Sequence, residues 1–128
     1  MKKPLKDKLK KATIRIGKGE VKAYVAESFL DRAMGLSFWK NLPENEGMLF
    51  VFSRPRRPAF WNFIVWFPID VIWIHDNRVI DISRNMPSVS SGIKILNPPM
   101  KIDYALEVPA GMADKLGVIV GNTVQIIR

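Results

Sequence analysis

Two short segments near the start of the chain alternate apolar and polar residues with the period of a β-strand. They are Thr13 to Gly17 and Val21 to Ala26, and in each of them the apolar residues share one face. This alternation is typical of strands that bury one side. Gly17-Lys18-Gly19 lies between them and favours a tight turn. The pattern therefore predicts a β-hairpin.

A short helix and a buried strand are predicted next. Ser28 can cap a helix that carries Phe29, Ala33 and Leu36 at helical spacing. From Met48 to Phe52 the chain then has five apolar residues in a row. A short continuous apolar run favours a strand that is buried on both faces.

Proline and asparagine divide the middle of the chain. Pro68 separates a predicted strand that ends near Phe67 from a second one that runs through His75. Asp76-Asn77 favours a tight turn, because asparagine tolerates positive φ angles. We expect Arg78 to Ser83 to return from this turn as a further strand.

The last third of the chain is predicted to contain a long loop, two strands and a short helix. Three prolines fall between Asn85 and Lys101, which is the best candidate for a mobile flap. Asp103 to Val108 is predicted as a strand, Pro109 to Lys115 as a short helix, and the segment with Val124 and Ile126 as the final strand. About eight short strands and two short helices favour a mainly β fold, a sandwich or a partly closed barrel.

Composition narrows the class of protein. The 128 residues suffice for one domain, and the absence of cysteine excludes disulfides, thiolate catalysis and thiolate-ligated metals. The longest apolar stretch, Phe60 to Ile74, is short and interrupted by polar residues, so no membrane span is expected. No apolar leader follows the first lysines, and we expect a cytoplasmic protein. The abundance of Lys and Ile, with one glutamine, is typical of heat-adapted proteins.

The net charge of +8 is concentrated at the N-terminus. Residues 1–11 hold six lysines and one aspartate, whereas the remaining 14 basic and 11 acidic residues nearly balance. We therefore expect a lysine-rich, flexible tail over residues 1–12 and one globular domain over residues 13–128. The tail, together with Arg54, Arg56 and Arg57, gives one functional hypothesis, nonspecific nucleic-acid binding with strong salt dependence.

Several ordered motifs resemble the family known as domain of unknown function 192. They are Arg32-Ala33-Met34-Gly35-Leu36, Leu42-Pro43, Gly47-Met48-Leu49-Phe50-Val51-Phe52, Phe60-Trp61, Pro68-Ile69-Asp70-Val71, Leu106-Glu107-Val108, Ala110-Gly111 and the ending from Gly117 to Val124. The resemblance covers roughly residues 13–128 and implies a compact β-sandwich-like domain without implying an activity. Many relatives carry a Met-Lys-Asn-Thr-like run where this chain has Asn62-Phe63-Ile64-Val65.

Asp70 is the most informative charge in the sequence. It shares a predicted strand face with Ile72 and Ile74 and follows a run of aromatic residues. A carboxylate in such surroundings must accept hydrogen bonds or pair with a cation. Two interpretations stay open: a structural anchor bound to backbone N–H groups or to an arginine such as Arg57, or a carboxylate of a binding site.

An aromatic-lined cleft is the leading functional hypothesis. The four tryptophans are many for one small core, so some of them are expected to line a pocket near Phe60, Trp61, Trp66 and Asp70. Arg56 and Arg57 are the candidate anion contacts. The predicted function is a non-enzymatic domain, monomeric or weakly oligomeric, that binds a small molecule, a sugar or an anion.

The alternative is a hydrolase-like enzyme with paired carboxylates. Asp70 would act with Glu107 or Glu46 as acid and base, although Glu107 is expected on a solvated strand face. His75 is the only histidine and is expected in a turn, so no metal site is predicted. No cofactor is expected either, because Gly17-Lys18-Gly19 lacks the spacing of a phosphate-binding loop.

Overall fold

A computed structural model describes residues 8–128, and this part of the chain forms nine strands and two short helices. In chain order they are β1 (Lys10–Ile16), β2 (Gly19–Ala26), α1 (Phe29–Met34), β3 (Glu46–Arg56), β4 (Phe60–Trp61), β5 (Ile69–His75), β6 (Arg78–Met86), β7 (Ile95–Leu96), β8 (Ile102–Pro109), α2 (Met112–Lys115) and β9 (Gln125–Ile127). Strand β1 begins inside the segment predicted as the tail, whose residues 1–7 lie outside the described residues.

Seven of the strands form one sheet in the order β6-β5-β8-β3-β2-β1-β9, and β4 and β7 pair separately. Only β2 and β3 are parallel neighbours within the described sheets. A bridge between Arg78 and Thr123 brings the two ends of the large sheet together without closing a barrel. The predicted mainly β, sandwich-like class is confirmed. Neither helix within residues 8–128 is long enough to cross a membrane.

Each face of the large sheet is covered by its own apolar core. On one face, Leu49, Ile72 and Leu106 pack with Met112 of α2. On the other face, Trp73 and other large residues pack with the segment that follows α1 and with the 60–65 region. Strands β3, β5 and β8 are therefore buried on both sides, and polar residues on them have no solvated face available.

Local predictions near turns and caps are confirmed. The first hairpin joins β1 and β2 in the expected place. The Ser28 hydroxyl accepts a hydrogen bond from the backbone N–H of Asp31, 3.0 Å away, and so caps α1. Asp76 and Asn77 both adopt positive φ angles, as a tight hairpin turn requires.

The prediction of a strand that ends near Phe67 is wrong. Only Phe60–Trp61 is extended and paired, and Ile64 has a φ of 57°, which interrupts any strand. Asn62 explains the interruption. Its amide donates to the carbonyls of Pro87 and Gly92 and accepts from the Lys94 N–H, so the backbone turns away to seat a buried side chain.

The same asparagine changes the interpretation of the loop between Asn85 and Lys101. This segment contains a short 3-10 turn, Val89–Ser91, and strand β7, which pairs with β4. The backbone N–H of Val89 also donates to Val65. The loop is tied to the body at several points and is not the free flap that its prolines predicted.

Candidate functional site

A cavity of about 220 Å³ lies between α1 and the second face of the sheet. Its wall is mostly apolar and aromatic, which is the usual lining of a small-molecule site. Lining residues come from α1 and the turn after it, from β3, from the segment around β4 and from β8. They are Phe29, Arg32, Ala33, Met34, Gly35, Leu36, Ser37, Phe50, Phe52, Arg56, Pro58, Ala59, Phe60, Trp61, Val65 and Glu107.

Helix α1 covers this cavity instead of packing on the core. None of its residues is buried, and its large apolar side chains Phe29, Leu30 and Met34 are exposed. Apolar side chains normally face the core in a helix with this spacing. Here Phe29 and Met34 line the cavity, whereas Leu36, just beyond the helix, reaches the core.

Glu107 lies in the wall of the cavity and is almost completely buried, with 4% of its surface exposed. On β8 it is paired with Met48 on one side and Val71 on the other, and both are buried. Within residues 8–128 its carboxyl group makes no hydrogen bond or ion pair. Burial raises the pKa of Glu107 from 4.5 to about 8, so the group is mainly protonated at neutral pH.

The expectation that Glu107 lies on a solvated face is therefore wrong. The reason is the position of β8, which lies between β5 and β3 in the middle of the sheet. Both faces of this central strand are covered by apolar cores. A side chain at this point of β8 is therefore buried whichever face it projects from, and Glu107 does not reach solvent. Only the cavity separates its carboxyl group from the surface.

Two arginines line the same cavity and lie against one aromatic ring. The guanidinium carbon of Arg32 is 5.3 Å from the centre of the Phe52 ring, and that of Arg56 is 5.7 Å from it. Both distances are in the range of cation–π contacts. Arg32 is also oriented by its Nη1, which donates to the carbonyls of Glu27 and Val51. Neither guanidinium forms an ion pair within the described part of the chain.

Asp70 is an anchor of the scaffold. Its carboxylate accepts hydrogen bonds from the backbone N–H groups of Asn85 at 3.0 Å, Gly111 at 3.0 Å and Ala113 at 3.1 Å. The side chain is buried and does not line the cavity. Two of the donors belong to the start of α2, where a negative charge is favourable. This geometry agrees with the interpretation of Asp70 as a structural anchor. The expectation that Asp70 contacts a ligand in the aromatic-lined cleft is wrong, because its side chain does not line the cavity.

Asp70 and Glu107 do not form a catalytic pair. Asp70 is opposite Val108 in the ladder between β5 and β8, so Glu107, one residue earlier, projects from the other face. A sheet therefore separates the two carboxyl groups. Glu46, the other candidate partner, does not line the cavity either.

The aromatic candidates fall into three groups. Trp39 and Trp73 are core residues. Trp61 is 53% exposed and lines the cavity together with the buried Phe60, as the cleft hypothesis expects. Trp66 is equally exposed but does not line it.

The basic candidates are also divided. Arg56 lines the cavity, whereas the Nε of Arg57 donates to the carbonyl of Pro98 at 3.1 Å. Arg54 and Arg56 belong to the last part of β3, and Arg57 directly follows the strand. Lys2, Lys3 and Lys6 of the tail lie outside the described residues. Nucleic-acid binding remains a prediction.

Two further observations complete the site. His75 is partly exposed beside the Asp76-Asn77 turn, with its Nδ1 3.2 Å from a carboxylate oxygen of Asp103. Across residues 8–128 no group of three acidic, histidine or cysteine side chains is arranged to hold a metal ion.

Sequence reasoning missed Arg32 and Phe52 as cavity residues. Both were visible in motifs of the family resemblance, but nothing local pointed to a shared cavity.

Comparison with known proteins assigns the chain to a family. Residues 12–126 match the family described as "Uncharacterized ACR", domain of unknown function 192. The chain belongs to the domain of unknown function 192 family. The resemblance found in the sequence motifs is thereby confirmed, and the family's description names no activity. No curated protein matches the chain.

Two solved structures share the fold of this domain of unknown function 192 protein. One, from Sinorhizobium meliloti 1021, is described as a "putative transcription regulator" and is 24% identical, with a TM-score of 0.81 over 91% of this chain and 92% of the other. The second, from Novosphingobium aromaticivorans DSM 12444, is a protein of unknown function that is 28% identical. Its TM-score is 0.79 over 91% of this chain and 84% of the other.

Proposed function

We propose that this protein is a binding domain for a small organic molecule, which occupies the cavity between α1 and the sheet. The observation that carries the proposal is the carboxyl group of Glu107. It is buried among apolar side chains, has no partner within residues 8–128 and borders an aromatic-lined cavity. Burying an unpaired polar group costs free energy, and a ligand that hydrogen bonds to it would offset that cost.

The form of helix α1 supports the same proposal. Phe29 and Met34 line the cavity and remain exposed. The apolar side of the helix therefore lacks the contacts with other apolar side chains that an amphipathic helix normally makes. A bound molecule with an apolar body would supply that packing. Trp61 at the rim offers an exposed aromatic face, on which a sugar ring or another flat group can stack.

Native mass spectrometry of freshly purified protein tests the proposal. It compares the wild type with a variant in which a larger side chain fills the cavity. Ala33 is exposed and lines the cavity, so Ala33→Trp should block it without disturbing the core. Leu30→Trp on the same helix is the matched control, because Leu30 is exposed and does not line the cavity. We expect a retained adduct in the wild type and in Leu30→Trp, and none in Ala33→Trp.

Two results would contradict the proposal. One is an adduct that persists unchanged in a folded Ala33→Trp protein, because the ligand would then bind elsewhere. The other is a wild-type protein that carries no adduct and whose thermal midpoint does not shift with any compound of a small-molecule library. A folded variant is recognised by an unfolding midpoint close to that of the Leu30→Trp control.

A further inference from the structure

We propose that the ligand carries a carboxylate or phosphate group, which Arg32 and Arg56 bind through their guanidinium groups against the Phe52 ring. This inference rests on the proposed function, because it names the class of molecule that the cavity accepts. It makes the site a receptor for small amphipathic anions, with an apolar part inside the cavity and a negative group at the arginines.

The position of the two guanidinium groups supports anion recognition. Both lie within 6 Å of the centre of one aromatic ring, and both residues line the cavity. Arg32 is held in place by Nη1, which donates to two backbone carbonyls, so its other N–H groups are available to an acceptor. The side chain of Arg56 makes no hydrogen bond within the described chain. Guanidinium groups bind carboxylate and phosphate oxygens in a bidentate manner.

The charge balance of the cavity supports the same assignment. Five other arginines or lysines form ion pairs with acidic side chains: Lys10, Arg15, Arg84, Lys115 and Arg128. Arg32 and Arg56 have no such partner among the residues that the structure describes. The one acidic side chain that lines the cavity is Glu107, and its buried carboxyl group is mainly neutral at pH 7. The cavity therefore carries an uncompensated positive charge.

The remaining lining defines the other end of the ligand. Leu36, Phe50, Phe60 and Val65 are buried apolar residues, so this part of the cavity fits a ring or a short branched chain. A protonated Glu107 can donate one hydrogen bond to an oxygen of the ligand. The volume of about 220 Å³ restricts the ligand to a small molecule.

Calorimetric titration with matched pairs of compounds tests the inference. Phenylacetate is compared with phenylacetamide, and benzyl phosphate with benzyl alcohol, at pH 7 and low salt, so that charge differs while the body stays constant. We expect the wild type to bind at least one anion at least tenfold more tightly than its neutral partner. Arg56→Gln should reduce this preference to less than threefold. Arg54→Gln is the matched control, because Arg54 is also on β3 and does not line the cavity.

The outcomes separate this inference from the proposed function. If neutral and anionic partners bind equally well and Ala33→Trp abolishes both, the cavity binds ligands but the anionic class is wrong. If the anions are preferred equally in the wild type and in Arg56→Gln, the assignment to the arginines is wrong. If no compound of either pair binds at millimolar concentration, the inference fails, while an adduct seen by mass spectrometry would still support the proposed function. The two pairs also distinguish a carboxylate from a phosphate.

Discussion

Asp70 and Glu107 occupy neighbouring strands of the same sheet and project from its opposite faces. Asp70 is opposite Val108, which directly follows Glu107. The carboxylate of Asp70 is enclosed by three backbone N–H donors, whereas the carboxyl group of Glu107 has no such donor within residues 8–128 and borders a cavity. The two buried acids thus differ in their surroundings: Asp70 is held by the scaffold, and Glu107 lines a cavity.

The anchoring role of Asp70 predicts a loss of stability without a loss of the site. In Asp70→Asn, one oxygen acceptor is replaced by an NH₂ group that faces backbone donors. We expect a decrease of about 2 to 4 kcal/mol in the free energy of unfolding. Urea denaturation measures it. The folded fraction should bind the same ligand as the wild type, and a variant as stable as the wild type would contradict the anchor.

The burial of Glu107 predicts that the free energy of unfolding decreases as pH rises. The pKa of Glu107 is about 8 in the folded protein and 4.5 without burial, so between these values the folded state binds more protons than the unfolded state. The penalty is absent below about pH 4.5, grows as pH rises and is complete above about pH 8. Its full size is on the order of 5 kcal/mol.

Glu107→Gln should remove this dependence, because glutamine has the same shape and does not ionise. Denaturation at pH 6 and pH 9 should show a smaller decrease in stability in Glu107→Gln than in the wild type. Arg32 and Arg56 are the other charged groups that line the same cavity. Glu46→Gln, which alters a half-buried glutamate outside the cavity, should keep the wild-type slope. Equal slopes in the wild type and Glu107→Gln would contradict the assigned protonation state.

Asn62 should control the order of the 87–94 loop. Its side chain bonds to Pro87, Gly92 and Lys94, and the variant Asn62→Ala leaves all three backbone groups without a partner. We expect a stability loss of about 2 to 4 kcal/mol and faster amide hydrogen exchange in this loop. Asn97→Ala is the control, because the Asn97 side chain makes only one long hydrogen bond within residues 8–128, to the Pro58 carbonyl at 3.4 Å. Unchanged exchange in Asn62→Ala would show that other contacts hold the loop.

Gly47 is required where β3 passes β8. A Cβ atom at this position would lie 2.5 Å from the backbone oxygen of Glu107. We expect Gly47→Ala to push the strands apart and to cost about 1 to 3 kcal/mol. In Gly19→Ala the nearest atom is the end of the Leu116 side chain, at 3.0 Å, which can move aside, so the loss should be smaller. Thermal or urea unfolding of the two variants would reveal the difference, and equal losses would count against this explanation.

Features that depend on neighbours in the sequence were predictable. The first hairpin, the Ser28 cap and the Asp76-Asn77 turn follow from residues within a few positions of one another, and the structure has all three. The Phe60–Phe67 segment was not predictable in this way. Its apolar residues resemble a strand, but the bonds of Asn62 to residues 25 to 32 positions away determine its path.

The candidate site could be predicted only in part, because its walls come from distant segments. Phe60, Trp61 and Arg56 were identified from the aromatic and basic stretch. The burial of Glu107 depends on β8 pairing with both β3 and β5, and no local pattern encodes that order. Arg32 reaches the cavity because α1 lies over the sheet without packing on its core.

Chemical-shift mapping of the labelled protein during a titration with phenylacetate at pH 7 tests the central claim most directly. We predict saturable shifts concentrated at Ala33, Phe52, Val65 and Glu107, with the Asp76-Asn77 turn, which does not line the cavity, unaffected. Saturable shifts that cluster away from the cavity, or no shifts here and none with benzyl phosphate, would contradict a binding site for small anions beneath α1.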